Sequence, residues 1–230
     1  MNRAWKAAAA AVAAAVLAPA AQAADRVPAS FPAAGELVVP AVTAREQPTY
    51  NARRVVVLRQ FRADYRRHVV LATASARDAT GRLWLRLRLQ LRPNGTLAWV
   101  PAAAVAVTPI HDRIVVHQRA RTIDLFRDGH VLVHGRVAIG APGWDTPRGE
   151  FYVTARFVPD DPFLGAFAFE TSAYSKLTEW PGGGIVGIHG TSAPELIGQA
   201  VSHGCVRVSN ATARLLQRHV KLGTPISILV

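Results

Sequence analysis

Cysteine is almost missing from this chain: Cys205 is the only one in 230 residues. An intrachain disulfide framework is therefore impossible, and so are a four-cysteine zinc site and an iron–sulfur cluster, each of which needs several thiolates from one polypeptide. Acidic residues are scarce too, 15 against 27 lysines and arginines, which gives a formal net charge of +12. Long hydrophobic runs are confined to the N-terminus, and no second apolar stretch of about 18 residues follows to span a bilayer. Half of the residues are hydrophobic all the same, which suffices to bury a core and excludes intrinsic disorder. The lone thiol is left three roles: an inert buried side chain, an intermolecular partner, or a nucleophile.

Arg3 and Lys6 precede an apolar run from Ala7 to Ala18, followed by Pro19 and Ala21-Gln22-Ala23. This is the pattern of a secretory signal peptide over residues 1–23, so the mature chain is expected to be exported to the periplasm, cell wall or exterior, with an uncleaved anchor helix as the alternative. The positive charge is unevenly spread. Arg26 to Val107 contains 13 arginines, no lysine and 4 acids, whereas Thr108 to Val230 contains 12 basic and 10 acidic residues. Two modules of different electrostatic character are expected, with a boundary near Thr108-Pro109. The Ala/Pro-rich residues 24–48 show no sustained period and are expected to form a linker.

Residues 49–107 read as all-β. Val55 to Leu58 and His68 to Ala72 are short β-branched runs, and Arg82 to Arg92 alternates leucines with Arg82, Trp84, Arg86, Arg88, Gln90 and Arg92. Pro93-Asn94-Gly95 is a turn signal, and Thr96 to Val100 is the return strand. Four or five short strands at this spacing predict a small barrel, and the run from Arg92-Pro93-Asn94-Gly95 into Trp99-Val100-Pro101 resembles the SH3-like modules of some bacterial cell-wall proteins. The arginine face is either the solvated side of a sheet or, with Trp84, a dock for an anionic cell-wall polymer, because guanidinium forks match carboxylate and phosphate and aromatic faces stack on sugars. Nucleic acid is the usual partner for such a stripe, but export argues against it.

Residues 109–230 continue in β patterns. Ile114 to His117, Ile123 to Phe126 and Val131 to Ile139 are strand candidates, the last two joined by Asp128-Gly129, and Val131, Val133, Gly135, Val137 and Ile139 are expected to share one face. Phe151 to Phe157 and Ile185 to Ile188 are further strands. Ser209 or Asn210 caps a predicted helix from Ala211 to Val220, and Ile226 to Val230 closes the chain as a strand.

The chemistry clusters in two short segments, His189-Gly190-Thr191 and Ser202-His203-Gly204-Cys205-Val206-Arg207. A free thiol with a pKa near 8.5 is mostly protonated at neutral pH, so a nucleophilic Cys205 needs a base or a positive environment, which His189, His203 and Arg207 offer. Lowering that pKa by two units takes about 2.7 kcal/mol, within reach of one imidazolium at hydrogen-bond distance. Gly204 leaves room for a substrate carbonyl, and consecutive N–H groups there can form an oxyanion hole. Zinc held by His189, His203 and Cys205 is the rival, but the motif offers no acid or fourth ligand.

These two segments, preceded by Gly140 to Phe151 with its Thr146-Pro147-Arg148-Gly149, closely resemble the YkuD-type L,D-transpeptidase catalytic domain over Pro109 to Val230. The resemblance implies a mainly β catalytic domain with few short helices and a cysteine acyltransferase that needs neither cofactor nor metal. It would act, as a monomer, on peptidoglycan stem peptides, attacking the meso-diaminopimelate carbonyl of a tetrapeptide stem, releasing D-Ala and passing the acyl group to an amine. A diaminopimelate amine as acceptor gives a 3→3 cross-link, water gives L,D-carboxypeptidase activity, and a protein lysine gives anchoring to the wall. A non-catalytic wall-binding protein is the remaining alternative. Carried onto this sequence, Cys205 is the nucleophile and His189 its base, oriented by the carbonyl of Gly190, where many members carry Ser. His203, Gly204 and Tyr174 belong to the oxyanion side, Ser202 braces the loop and faces substrate, and Arg207 holds a substrate carboxylate.

Overall fold

A computed structural model of the chain describes residues 27–179 and 182–230. The signal-peptide segment, residues 1–23, lies outside them. The protein is predominantly β, with two sheets and, among the described residues, one α-helix.

The first sheet is built from β1 (Ala33–Leu37), β2 (Ala41–Arg45), β3 (Arg54–Arg59), β4 (Val69–Arg77), β5 (Leu83–Arg88), β6 (Leu97–Pro101) and β7 (Val105–Pro109), in the order β3-β2-β6-β5-β4-β1-β7. It has seven strands where four or five were expected, and two of them, β1 and β2, come from the stretch expected to be a linker. Five-residue strands rich in Ala, Gly and Thr are too short to show a period. Their partners are remote: β1 pairs with both β4 and β7, and a Cβ on Gly35 would lie 1.7 Å from the Ala106 carbonyl oxygen, so that close approach requires glycine. The leucines of β5 point inward as expected, with Leu83, Leu85, Leu87 and Leu89 buried beside Leu37, Val70 and Val100.

Trp84 does not stand on an open face. It is completely buried, its indole N–H donates to Asp78 Oδ2 (2.9 Å), and the Tyr50 ring meets it edge-on at 5.0 Å. A bond from the Thr80 hydroxyl, then the Trp84 N–H and backbone N–H groups, hold the Asp78 carboxyl well below the usual range. The alternating segment also leaves the strand after Arg88, and Gln90 and Arg92 reach across to the second sheet. Trp84 is therefore unavailable to stack on a sugar.

The second sheet comprises β8 (Asp112–His117), β9 (Thr122–Arg127), β10 (His130–Gly140), β11 (Gly149–Phe157), β12 (Ala168–Tyr174), β13 (Ile185–His189), β14 (Ala200–Ser202), β15 (Val206–Val208) and β16 (Pro225–Leu229), with α1 (Asn210–His219) packed on it. Its order is β14-β10-β15-β13-β12-β11-β16-β8-β9, and β9 also pairs with β10. Asp128 (φ 50°) and Gly129 (φ 82°) turn β9 into β10 with two left-handed residues, the conformation an Asp-Gly hairpin favours. The single register expected for β10 is broken by a bulge between Val131 and Val133, which leaves Val131 exposed and Val133 in the core. Ser209 Oγ accepts from the Thr212 N–H at the start of α1, and the helix buries Thr212, Ala213 and Leu216. Gly135 makes room for it, since a Cβ there would press on Thr212 at 3.0 Å.

The two sheets meet along a seam with an apolar and a polar part. Ala34, Val69, Leu71 and Tyr152 form a small buried cluster, and the Tyr152 hydroxyl donates to the Val69 carbonyl (3.3 Å). Arg62 pairs with Glu170 at 2.7 Å, Arg66 lies 3.5 Å from the same carboxylate, and the side chains of Gln90, Arg92 and Asn94 bond to the backbone of residues 171–183.

Candidate active site

Parallel pairing of β13 with β15 brings the two chemical segments together. Ile188 lies opposite Val206 and His189 opposite Arg207, so Cys205, just ahead of β15, sits beside Gly187. The Gly187 N–H donates to Cys205 Sγ at 3.3 Å. A Cβ on Gly187 would lie 3.6 Å from His189 Cδ2 and 3.8 Å from Cys205 Sγ, so both side chains border the space this glycine leaves empty. They line one cavity of about 500 Å³ together with Ser202, His203, Arg207, Phe163 and Ser175.

His189 is buried, and its Nδ1 lies 2.6 Å from the Gly190 carbonyl oxygen. A carbonyl can only accept, so Nδ1 carries the proton and Nε2 is the basic nitrogen of the neutral ring. Burial pushes the His189 pKa down to about 4, helped by the Arg207 charge and opposed by the Gly190 and Leu164 carbonyls. Burial likewise pushes the Cys205 thiol up, against the Gly187 N–H and Arg207, which lower it. Near neutral pH the pair is thus a neutral thiol and a neutral imidazole. The imidazolium expected to depress the thiol pKa is not what this environment favours: desolvation penalises both charged forms and outweighs one N–H and one guanidinium.

The Cys205 loop is tied internally. Ser202 is fully buried, its hydroxyl donates to the Cys205 carbonyl (2.6 Å), and it accepts from the Gly204 N–H (3.1 Å). Two expected roles change with that bond: Ser202 spends its hydroxyl on the loop rather than on substrate, and the Gly204 N–H is taken from the oxyanion side. Gly204 is required for shape, with φ at 117° and a would-be Cβ 2.8 Å from Ser175 Cβ. The Gly140-to-Gly149 loop packs alongside. Thr146 Oγ1 accepts from the Gly140 N–H (2.9 Å), and Trp144 meets the His203 ring at a tilt of 56° with centroids 5.5 Å apart.

Arg207 is buried and its Nε has no hydrogen-bond partner among the described residues. Its guanidinium lies 4.7 Å over the Phe163 ring and borders the cavity. Tyr174 lies elsewhere: it faces a neighbouring groove lined by Arg92, Asp145, Arg148 and Lys176, while its neighbour Ser175 borders the Cys205 cavity. The expected place of Tyr174 on the oxyanion side is not what the end of β12 provides. No group of three or more potential metal ligands occurs among the described residues.

One residue of this site went unnoticed in the sequence except as a cap candidate. Asn210 Oδ1 accepts from the Ala166 and Thr191 N–H groups (2.9 and 3.1 Å), and its Nδ2 donates to the Thr191 carbonyl (3.0 Å). A Cβ on Gly190 or on Gly165 would fall 2.3 Å from Asn210 Oδ1. The carboxamide thus fills the space beside the residue whose carbonyl orients His189. The two glycines bracketing it are the sequence signal, legible only once their proximity is known.

A thiol and a tautomer-fixed imidazole in one cavity, with a buried arginine beside them, are the equipment of cysteine acyl-transfer chemistry. Residues 111–228 match the family described as YkuD, L,D-transpeptidase catalytic domain. The chain is 36% identical over 117 residues to a Bacillus licheniformis protein named as the L,D-transpeptidase YkuD, covering 50% of this chain and 64% of that one. It is 31% identical over 182 residues to the Bacillus subtilis protein of the same name, covering 78% of this chain and 98% of that one. Among solved structures, an L,D-transpeptidase from Mycobacterium tuberculosis aligns with a TM-score of 0.46 and 16% identity, over 71% of this chain and 90% of that one. The chain belongs to the YkuD L,D-transpeptidase family.

Proposed function

We propose that the protein is an exported peptidoglycan L,D-transpeptidase with Cys205 as nucleophile and His189 as general base. The observation that carries this is the His189 Nδ1 bond to the Gly190 carbonyl, which leaves a basic Nε2 in the cavity that also contains the thiol. As Sγ attacks the diaminopimelate carbonyl of a tetrapeptide stem, Nε2 takes the thiol proton, so no resting thiolate is needed. The backbone N–H groups of Cys205 and His203 serve as oxyanion donors, while that of Gly204 is bonded to Ser202. Collapse of the tetrahedral adduct breaks the bond to D-Ala, whose amine leaves with the proton from His189, and a thioester on Cys205 remains. An acceptor amine then attacks, His189 removes its proton, and the thiolate departs and is reprotonated. Arg207 anchors a stem-peptide carboxylate, which supplies the partner its buried Nε lacks among the described residues.

The test is intact-mass spectrometry after exposure to a carbapenem, which family members accept as a suicide substrate. A one-to-one adduct on the wild type and none on Cys205→Ala is expected; a persisting adduct on Cys205→Ala refutes the nucleophile. Incubation with a diaminopimelate tetrapeptide should yield a cross-linked dimer, and tripeptide alone would replace the transferase with a carboxypeptidase.

A further inference from the structure

The basic residues of the N-terminal sheet end in a clamp on the cavity wall. After β5, the alternating side chains of Gln90, Arg92 and Asn94 all bond to the backbone that runs from β12 toward β13. Gln90 Nε2 donates to the Thr171 carbonyl at 3.3 Å. Arg92 Nη1 donates to the Ser175 carbonyl (2.8 Å), and Nη2 to those of Leu177 (2.8 Å) and Gly183 (3.0 Å). Asn94 brackets Tyr174 as a neighbouring strand would, donating to its carbonyl (2.8 Å) and accepting from its N–H (2.9 Å). The Arg92 guanidinium also lies 4.7 Å over the Tyr174 ring.

The clamp meets the sheet at an irregularity. The β12–β13 register shifts between Glu170 and Tyr174, pairing resumes at Tyr174 opposite Ile185, and the Ser175 N–H donates to the Gly184 carbonyl (2.8 Å). Ser175, Leu177 and Gly184 form one wall of the Cys205 cavity, and Ser175 is the residue against which Gly204 packs. A rigid fork that reaches three carbonyls at once suits this place, where a lysine ammonium would act as a single point charge.

We propose that the N-terminal β module is a fixed part of the catalytic centre, with Arg92 and Asn94 as positioning residues that hold the Ser175–Leu177–Gly184 wall in the shape that admits the donor peptide. This rests on Cys205 being the acylated residue. Arg92 is exposed, and its guanidinium N–H groups are spent on backbone carbonyls of the same chain.

The test uses the full chain and the variants Arg92→Ala, Arg92→Lys and Asn94→Ala, with three readouts. Hydrogen exchange at the amides of Lys176 to Thr178 and Gly182 to Gly184 reports the wall without any reaction; Arg92→Ala should accelerate it about tenfold or more, with Arg92→Lys in between. Turnover of the tetrapeptide should show KM raised about tenfold and kcat changed much less, since the wall shapes binding rather than proton transfer. Alkylation of Cys205 by iodoacetamide, which needs no wall, should stay within about twofold of wild type. Unchanged exchange in Arg92→Ala overturns the clamp, and a loosened wall with unchanged KM overturns its role in binding. If Arg92→Ala does not fold, Asn94→Ala, which removes two bonds and keeps the guanidinium, is judged by the same exchange. A wild type that never turns over the tetrapeptide defeats the transpeptidase assignment instead, and the exchange result still decides the clamp.

Discussion

Replacing His189 by asparagine isolates the cost of burying a titratable base. The asparagine Nδ2 can donate to the Gly190 carbonyl in place of Nδ1, and the variant no longer titrates between pH 4 and 7. In the folded wild type the imidazole is held down to a pKa of about 4 by burial, against 6.5 for the free side chain. The folded pKa is the lower one, so the unfolded chain binds the extra proton first as pH falls. Folding stability associated with His189 is complete above about pH 6.5 and drains away between there and pH 4. A gap of two and a half units corresponds to about 3 kcal/mol, a sizeable part of the 5–15 kcal/mol typical of a domain. Urea unfolding of wild type and His189→Asn at half-unit steps from pH 7.5 to 4 measures it as a difference. Contributions shared by the two proteins, such as that of half-buried His68, cancel. The wild type should lose about 3 kcal/mol more than the variant over that range. Parallel loss in the two proteins would refute the burial argument, and with it the neutral thiol–imidazole pair.

The same neutral pair predicts that alkylation of Cys205 by iodoacetamide rises with pH through and above neutrality; a rate already at its plateau near pH 5 would reveal a thiolate–imidazolium pair instead. Asn210→Ala removes three hydrogen bonds around Gly190 and should cost about 1–3 kcal/mol in thermal unfolding and at least tenfold in carbapenem acylation rate, with Asn210→Asp recovering part of both. Arg207→Met should leave the unfolding midpoint near or above that of wild type, because it removes a buried unmet donor, while KM for the tetrapeptide rises at least about tenfold. Gly204→Ala forces a Cβ to within 2.8 Å of Ser175 at φ 117°, and should abolish acylation and lower stability by about 1–3 kcal/mol in a denaturant titration.

The fold class and the two chemical segments could be read from the chain alone because both depend on local order. A β-branched run marks β4, alternation marks β5 and the β9–β10 hairpin, and a cysteine between glycine and valine beside a histidine carries its chemistry in its immediate neighbours. β1 and β2 escaped because five residues of Ala, Gly and Thr say little until β4 and β7 lie beside β1, and β3 and β6 beside β2. The bonds from this segment escaped for a related reason. Period two assigns a face but not its partners, and Gln90 and Arg92, with Asn94 beyond them, bond to backbone of the second sheet and the segment after β12.

The sequence by itself determined that one thiol is available, that it stands with His189, His203 and Arg207 in two short segments, and that a mainly β chain presents them. Tertiary structure decided their working states. Parallel pairing of β13 with β15 places thiol and imidazole around Gly187, burial makes both neutral, the Ser202 bond removes Gly204 from the oxyanion side, and Arg92 and Asn94 bond from the other sheet's side to the backbone along the cavity. Desolvation and hydrogen-bond satisfaction depend on which distant groups close over a site, and such groups leave no trace in the order of its own residues.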